Sequence, residues 1–328
     1  MTSHTPVAAS TISIEKFTDP DTTAKGEKRA TVGLDRLETL WFNTGSLCNI
    51  ACINCYIESS PSNDRLAYLT AAEVTAFLDE IVTDELGTRE IGFTGGEPFL
   101  NPEIIQMLEA ALARGFEVLV LSNAMQPMQR PRLKRGLLSL KERYGSQLRI
   151  RVSLDHYTAE LHEAERGAKT FAKTLAGLDW LAANGFAMAI AGRTCWHELD
   201  EEARSGYGEL IRARGWPIDP ADAKALVLLP EMDGSFEVPE ITTACWGILH
   251  KKPSDMMCAT SRMIVKRSGA SRPVVLPCTL LPYDQRFEMG DSLGAAGVVD
   301  GGMFAHGEIK LCHPHCAKFC VLGGGSCS

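Results

Sequence analysis

The sequence predicts an α/β fold, a partial (β/α)6 TIM-type barrel followed by a small cysteine-rich domain. From Glu38 onward short apolar runs alternate with amphipathic stretches, the pattern of parallel β/α units. After about residue 235 helical periodicity fades and Gly, Pro and Cys become frequent. Seven of the eleven cysteines lie between 245 and 327. The expected division is a flexible extension at 1–36, the partial barrel at 37–235 and the small domain at 236–328. With 328 residues, 45% of them hydrophobic, the chain buries a sizeable core and exceeds the roughly 100–200 residues of one ordinary domain.

Six strands are predicted, near 39–44, 90–94, 116–122, 148–154, 186–192 and 224–230. The helices between them carry physical punctuation. Thr70 and Glu73 make a capping box ahead of Val74, Phe77, Leu78, Ile81 and Val82, which recur on one helical face. Asn101 and Pro102 supply an N-cap and a first-turn proline before Ile105, Leu108 and Leu112. A third helix, about 170–184, buries Phe171, Leu175, Leu178 and Leu181, and Gly185 suits a left-handed stop. Right-handed crossovers between six such strands close most of a barrel. The segment Arg262 to Leu276 reads as a hairpin around Ser268 and Gly269.

The net charge of −8 argues against a nucleic-acid partner, which needs a concentrated basic surface. The basic cluster from Arg130 to Arg135, with Lys134, reads as a solvated helix face. The first 36 residues contain no apolar run of the kind a signal peptide requires, and no stretch reaches the ~18 apolar residues of a membrane span. The expected compartment is the cytoplasm, where thiols stay reduced. Eleven cysteines there argue for metal or cluster ligation rather than a disulfide framework.

Cys48, Cys52 and Cys55 are spaced C-x3-C-x2-C in the loop after the first strand. Soft thiolates this close can face one metal centre. A structural zinc site needs a fourth ligand, usually nearby. No histidine lies between His4 and His156, and the next cysteine is Cys195. Three ligands and one open position suit a 4Fe–4S cluster with one iron free for a small molecule, and zinc is the alternative. The spacing resembles the signature of the radical SAM superfamily. That resemblance implies that the three cysteines hold the cluster and that the free iron chelates the amino and carboxylate groups of S-adenosylmethionine. Asn54 departs from the family, which often places an aromatic residue before the last cysteine; Tyr56 follows it instead.

Other strand ends carry candidate groups. Gly95, Gly96, Glu97 and Pro98 follow the second strand; paired glycines let backbone approach a ligand, and Glu97 offers an acceptor to an ammonium. This run resembles the family's GGEP motif, which implies binding of the cofactor's amino group. Ser122 and Asn123 end the third strand and Ser153 and Asp155 the fourth, either as ordinary turn residues or as ligand groups. Their positions match family sites for the cofactor's ribose and carboxylate. Arg166 resembles the arginine that pairs with that carboxylate, and Arg193 is a further candidate. All come from the carboxyl ends of successive parallel strands, which share one rim.

The run from Cys258 through Cys278 to Gly290 and Asp291 resembles the start of a SPASM or twitch domain, which carries one or two auxiliary 4Fe–4S clusters. The closing cysteines, Cys312, Cys316, Cys320 and Cys327, are spaced C-x3-C-x3-C-x6-C and depart from that pattern. Two fully ligated clusters need eight cysteines, and seven are present when Cys245 is included. One auxiliary cluster on Cys258, Cys278, Cys316 and Cys320 is the economical assignment. A second, with His313 or His315 as a ligand, and a structural zinc site are the alternatives.

The resemblance implies an enzyme that cleaves S-adenosylmethionine reductively and abstracts hydrogen from a peptide or small-molecule substrate, with a flavodoxin or ferredoxin as electron donor. The 36-residue leader is too short for a folded peptide-recognition domain. The rival is a non-enzymatic iron–sulfur or zinc-binding electron-transfer protein, which has no use for the GGEP, Ser153 and Asp155 set.

Overall fold

The computed structural model describes residues 15–194, 196, 198–229 and 237–323. Strand β1 (Thr31–Val32) precedes six strands that alternate with helices: β2 (Thr39–Asn43), β3 (Glu90–Thr94), β4 (Glu117–Ser122), β5 (Leu148–Ser153), β6 (Ala187–Arg193) and β7 (Leu226–Leu229). A hairpin, β8 (Ser261–Val265) and β9 (Val274–Leu276), and a short pair, β10 (Phe304–Ala305) and β11 (Glu308–Lys310), follow. The helices are α1 (Ala71–Thr83), α2 (Ile104–Leu112), α3 (Gln126–Gln129), α4 (Pro131–Tyr144), α5 (Ala159–Arg166), α6 (Phe171–Ala183) and α7 (Asp200–Arg214), with shorter turns toward the C-terminus. The large sheet runs β7-β6-β5-β4-β3-β2-β8-β9 and is parallel from β7 through β8. The predicted partial barrel of six β/α units is present. Its strands lie within two residues of the expected positions, although Pro230, the last residue of the expected sixth strand, falls outside the described residues.

Side-chain alternation explains why these runs are apolar on both faces. Leu40, Phe42, Ile91, Phe93, Val118, Val120, Ile150, Val152, Met188 and Ile190 point outward and join the buried faces of the helices in one large cluster. Trp41 and Leu119 point inward and pack with Leu66, Met263, Val265 and Leu276 as a second cluster. Gly92 permits this inner packing. A Cβ there would stand 2.3 Å from the Trp41 ring, so the indole lies directly on the backbone of the next strand.

The capping box on α1 forms as expected: Thr70 Oγ1 accepts from Glu73 N at 3.2 Å, and Glu73 Oε2 accepts from Thr70 N at 2.9 Å. Gly185 ends α6 at φ 66°. Leu133, Leu137 and Leu140 bury one face of α4 and leave Arg132 and Arg135 in solvent. Asn101 behaves differently from expectation. Helix α2 starts at Ile104, two residues past Pro102: Asn101 Oδ1 accepts from Glu103 N at 2.9 Å and so caps the turn that leads into the helix, while its Nδ2 donates to Leu69 O at 2.9 Å and Thr44 O at 3.3 Å.

Two expectations about domain organisation are corrected. Residues 15–36 are no flexible extension, since β1 pairs antiparallel with β11 and Ala30 and Val32 are buried. Arg29, 2% exposed, donates to Glu240, Thr22 O, Asp19 O and Leu311 O, so a polar segment is held by one guanidinium that satisfies distant carbonyls. Residues 1–14 lie outside the described residues. The C-terminal region is likewise continuous with the barrel's sheet and core. Its predicted hairpin forms, with Gly269 at φ 78°, but β8 pairs parallel with β2 and extends the barrel sheet. Met257, Ile264, Val275, Phe287, Phe304 and Phe319 are buried in the same cluster as the barrel helices. Among the described residues no helix is long and apolar enough to cross a membrane.

Candidate active site

The carboxyl ends of the barrel strands surround a cavity that opens to solvent. Its lining gathers Cys48, Cys52, Cys55, Gly95, Gly96, Ser122, Asn123, Ser153, Asp155, Arg166 and Arg193. These residues span 146 positions in sequence (193 − 48 + 1) and meet because parallel strands present their carboxyl ends on one rim.

The cysteine loop is positioned from below by the glycine pair. Gly95 adopts φ 139°, and a Cβ on Gly96 would stand 2.2 Å from Leu47 O. This close approach lets Gly96 N donate to Gly45 O at 2.9 Å and Glu97 N donate to Leu47 O at 3.1 Å, just before Cys48. The glycines therefore admit the cysteine loop's own backbone as well as facing the cavity.

Glu97 departs from the expected role and is not among the cavity-lining residues. Its Oε1 accepts from Ser122 Oγ at 2.9 Å and Phe99 N at 3.1 Å; its Oε2 accepts from Asn123 N at 2.9 Å. The carboxylate ties the end of β3 to the end of β4. Burial pushes its pKa up to about 7 against the opposing effect of these donors. Asn123 passes the restraint onward, with Nδ2 donating to Asn49 Oδ1 at 2.9 Å beside Cys48.

Arg166 has an acidic partner within the rim. Its Nε and Nη2 form a bidentate pair with Asp155, at 2.7 and 2.9 Å. Burial would raise the Asp155 carboxyl, but Arg166 and Arg193 hold it below its ordinary range. Arg193 Nη1 donates to Glu165 Oε1 at 2.9 Å and its Nη2 to Asn54 O at 3.1 Å. Glu165 completes a latch on the cysteine loop by accepting from Asn54 N at 3.2 Å and Asn54 Nδ2 at 3.1 Å. Asn54, the departure from the family pattern, is thus the residue by which α5 grips the loop. Sequence reasoning missed Glu165 because nothing in a helical E-R pair signals a partner more than 100 residues away.

The triad's chemistry fits a thiolate-bound cluster. Burial pushes the Cys48 thiol up to about 12, with Glu97 and the other two thiols adding to the shift, and burial raises Cys52 as well. Thiols raised in this way, as those of Cys48 and Cys52 are, ionise together only around a cationic centre. Among the described residues no group of three His, Cys, Asp or Glu side chains is arranged to hold a metal ion.

In the C-terminal region Cys258, Cys278 and Cys316 are buried and Cys320 is half-buried. Burial raises Cys316 strongly, and Cys278, Cys258, Cys320 and Cys312 add to it, so these five thiols share one neighbourhood. Cys245 instead accepts from Thr242 N at 3.4 Å. His315 Nδ1 lies 2.9 Å from Leu280 O, and His313 Nδ1 accepts from His315 N at 3.0 Å. Cys327 and Cys195 lie outside the described residues.

The sequence profile of the radical SAM superfamily matches residues 42–202, the stretch that supplies the rim from the cysteine loop to β6. These residues belong to that superfamily. The chain is 28% identical over 164 residues to the antilisterial bacteriocin subtilosin biosynthesis protein AlbA of Bacillus subtilis, covering 48% of this chain and 34% of that protein. It is 31% identical over 186 residues to the mycofactocin maturase MftC of Mycobacterium ulcerans, covering 55% of this chain and 47% of MftC. The chain therefore matches less than half the length of either relative. In fold it is similar to Streptococcus suis SuiB, solved bound to precursor peptide SuiA, with a TM-score of 0.53 and 13% identity over 79% of this chain and 63% of that one.

Proposed function

We propose that this protein is a cytoplasmic radical SAM enzyme that acts on a peptide, with a 4Fe–4S cluster on Cys48, Cys52 and Cys55 and one auxiliary 4Fe–4S cluster on Cys258, Cys278, Cys316 and Cys320. The supporting observation is the single cavity that gathers the three cysteines with Gly95, Gly96, Ser122, Asn123, Ser153, Asp155 and Arg166. An electron carrier needs no such cavity. When bound, the cluster supplies the electron that cleaves S-adenosylmethionine to a 5′-deoxyadenosyl radical.

The chain's residues do the positioning. Glu97 and Asn123 hold the ends of β3 and β4 against the loop that carries Cys48. Asn54, Glu165 and Arg193 hold the same loop from the side of α5. Ser153 and Arg166, the latter alongside its pair with Asp155, would receive the cofactor's carboxylate, and the Gly95–Gly96 backbone would meet its ammonium. Leu121, Ala191, Val227 and Leu229 exclude water from the reacting atoms. A flavodoxin or ferredoxin supplies electrons. The peptide substrate class draws on AlbA, MftC and SuiB, whose names describe biosynthesis, maturation or a bound precursor peptide.

Anaerobically reconstituted protein with dithionite and S-adenosylmethionine is expected to release 5′-deoxyadenosine. The variant carrying Cys48→Ala, Cys52→Ala and Cys55→Ala is expected to release none. Full cleavage by that variant would overturn the assignment.

A further inference from the structure

The cysteines of the C-terminal region have a buried cation among them. Arg262 lies on β8 opposite Leu40 of β2 and shares the outward face of that strand with Ile264, since the alternating Met263 and Val265 pack inside the barrel. That outward face meets the large core cluster in which Cys258, Cys278, Cys312 and Cys316 are buried. Arg262 itself is 3% exposed. Its Nη1 donates to Cys258 O at 2.6 Å and to Ser261 O at 2.7 Å, so the guanidinium is anchored on the turn that carries the first of these thiols.

Burial pulls the pKa of Arg262 below the ordinary guanidinium value, and among the described residues the ionisable groups that oppose this are Cys258 and Cys278, with no Asp or Glu beside them. Burial likewise pushes the Cys258 thiol up to about 12, Cys320 adds to the shift, and Arg262 opposes it. An arginine keeps its proton when buried, and its charge is costly there unless an anion balances it. While the surrounding thiols are protonated, the guanidinium has carbonyl acceptors and no counter-charge. Thiolates around an iron–sulfur cluster carry net negative charge, which grows by one on reduction, so the cysteine set and the cation fit the same occupant.

We propose that Arg262 is the counter-cation of the auxiliary cluster and raises its reduction potential. This rests on the auxiliary-cluster assignment above and adds to it the residue that sets how readily the cluster accepts an electron. The charge acts most strongly on the reduced state, because reduction adds negative charge where little water screens it. Arg262 is in this sense a positioning residue: its contacts with Cys258 O and Ser261 O fix where the positive charge stands relative to the thiols.

The test uses the full chain carrying Cys48→Ala, Cys52→Ala and Cys55→Ala, reconstituted anaerobically, so that iron content and EPR signal report the auxiliary cluster alone. In an EPR-monitored redox titration, Arg262→Met and Arg262→Gln are each expected to lower the one-electron reduction constant at least tenfold, a midpoint about 59 mV more negative, whereas Arg262→Lys should stay near the parent value. Arg262→Gln retains a donor for the Cys258 carbonyl and so separates charge from hydrogen bonding. Loss of iron from Arg262→Met and Arg262→Gln with retention in Arg262→Lys would equally show that the cluster requires the charge. An unshifted potential in Arg262→Met or Arg262→Gln overturns the proposal. Equal shifts in all three variants, or loss of iron from all three, also overturn it, since either would make Arg262 a clamp on the turn. Failure of the auxiliary-cluster assignment shows separately, as absence of iron from the same chain with Arg262 intact.

Discussion

Glu97 shows how one side chain can be spent on assembling a rim. Its two oxygens accept from Ser122, Asn123 and Phe99, each donor drawn from a different point on β3, β4 or the turn between them. Glu97→Gln turns one acceptor into a donor facing the Asn123 N–H or the Ser122 hydroxyl. The expected cost is about 1–3 kcal/mol, read as a lower urea midpoint of the apoprotein. Unchanged stability with weakened S-adenosylmethionine binding would instead assign Glu97 to the cofactor's ammonium. The sequence showed a carboxylate beside two glycines; it did not show that two backbone N–H groups and a hydroxyl would claim it first.

At the scale of elements, α5 carries the restraint on the cysteine loop and hides an acid-sensitive group. His162 is fully buried, and neither ring nitrogen has a hydrogen-bond partner among the described residues. Burial and the nearby Arg166 push its pKa down to about 4. The unfolded chain takes up a proton near pH 6.5, whereas the folded chain does so only near 4, so stability falls as pH drops through that window. The loss is on the order of 3 kcal/mol. His162→Leu keeps similar bulk and cannot titrate. Urea midpoints of the apoprotein at pH 7 and pH 5 are therefore expected to differ much less in the variant than in the parent, and an equal pH dependence in both would assign the acid limb to another group. The periodicity that marks helices α1 and α6 is legible because packing repeats every turn. The latch from Glu165 to Asn54 is not, because it depends on how close helix α5 comes to rest to the cysteine loop.

At the scale of the molecule, the N-terminal segment and the C-terminal region close on each other. Arg29 and Glu240 form an ion pair 2.6 Å apart with side chains 1% and 5% exposed. Arg29→Met leaves Glu240 buried without its cation, and the expected destabilisation is about 3–5 kcal/mol, measured by denaturant unfolding. A loss below about 1 kcal/mol would mean that this pair is solvated in solution. Because the C-terminal region shares the barrel's core, Cys258→Ala is expected to lose the auxiliary cluster and remain soluble. The triple-alanine variant of the first loop should retain about four irons per chain. Zinc in place of iron after anaerobic purification would refute the auxiliary cluster and leave the barrel intact.

The sequence by itself determined the parallel β/α barrel, its six strands, the α1 cap and the hairpin near Gly269. Each of these follows from local patterns, in which alternation and capping act over a few residues. Only the tertiary structure decided that residues 15–36 pack on β11, that β8 joins the barrel sheet beside β2, and that Glu97 and Arg166 are held by protein partners. It also decided that the Arg262 guanidinium lies against Cys258. The physical reason is that a buried charge or polar group takes its partners from whatever the fold brings near, and the identity of those partners is a property of distance in space rather than of position along the chain.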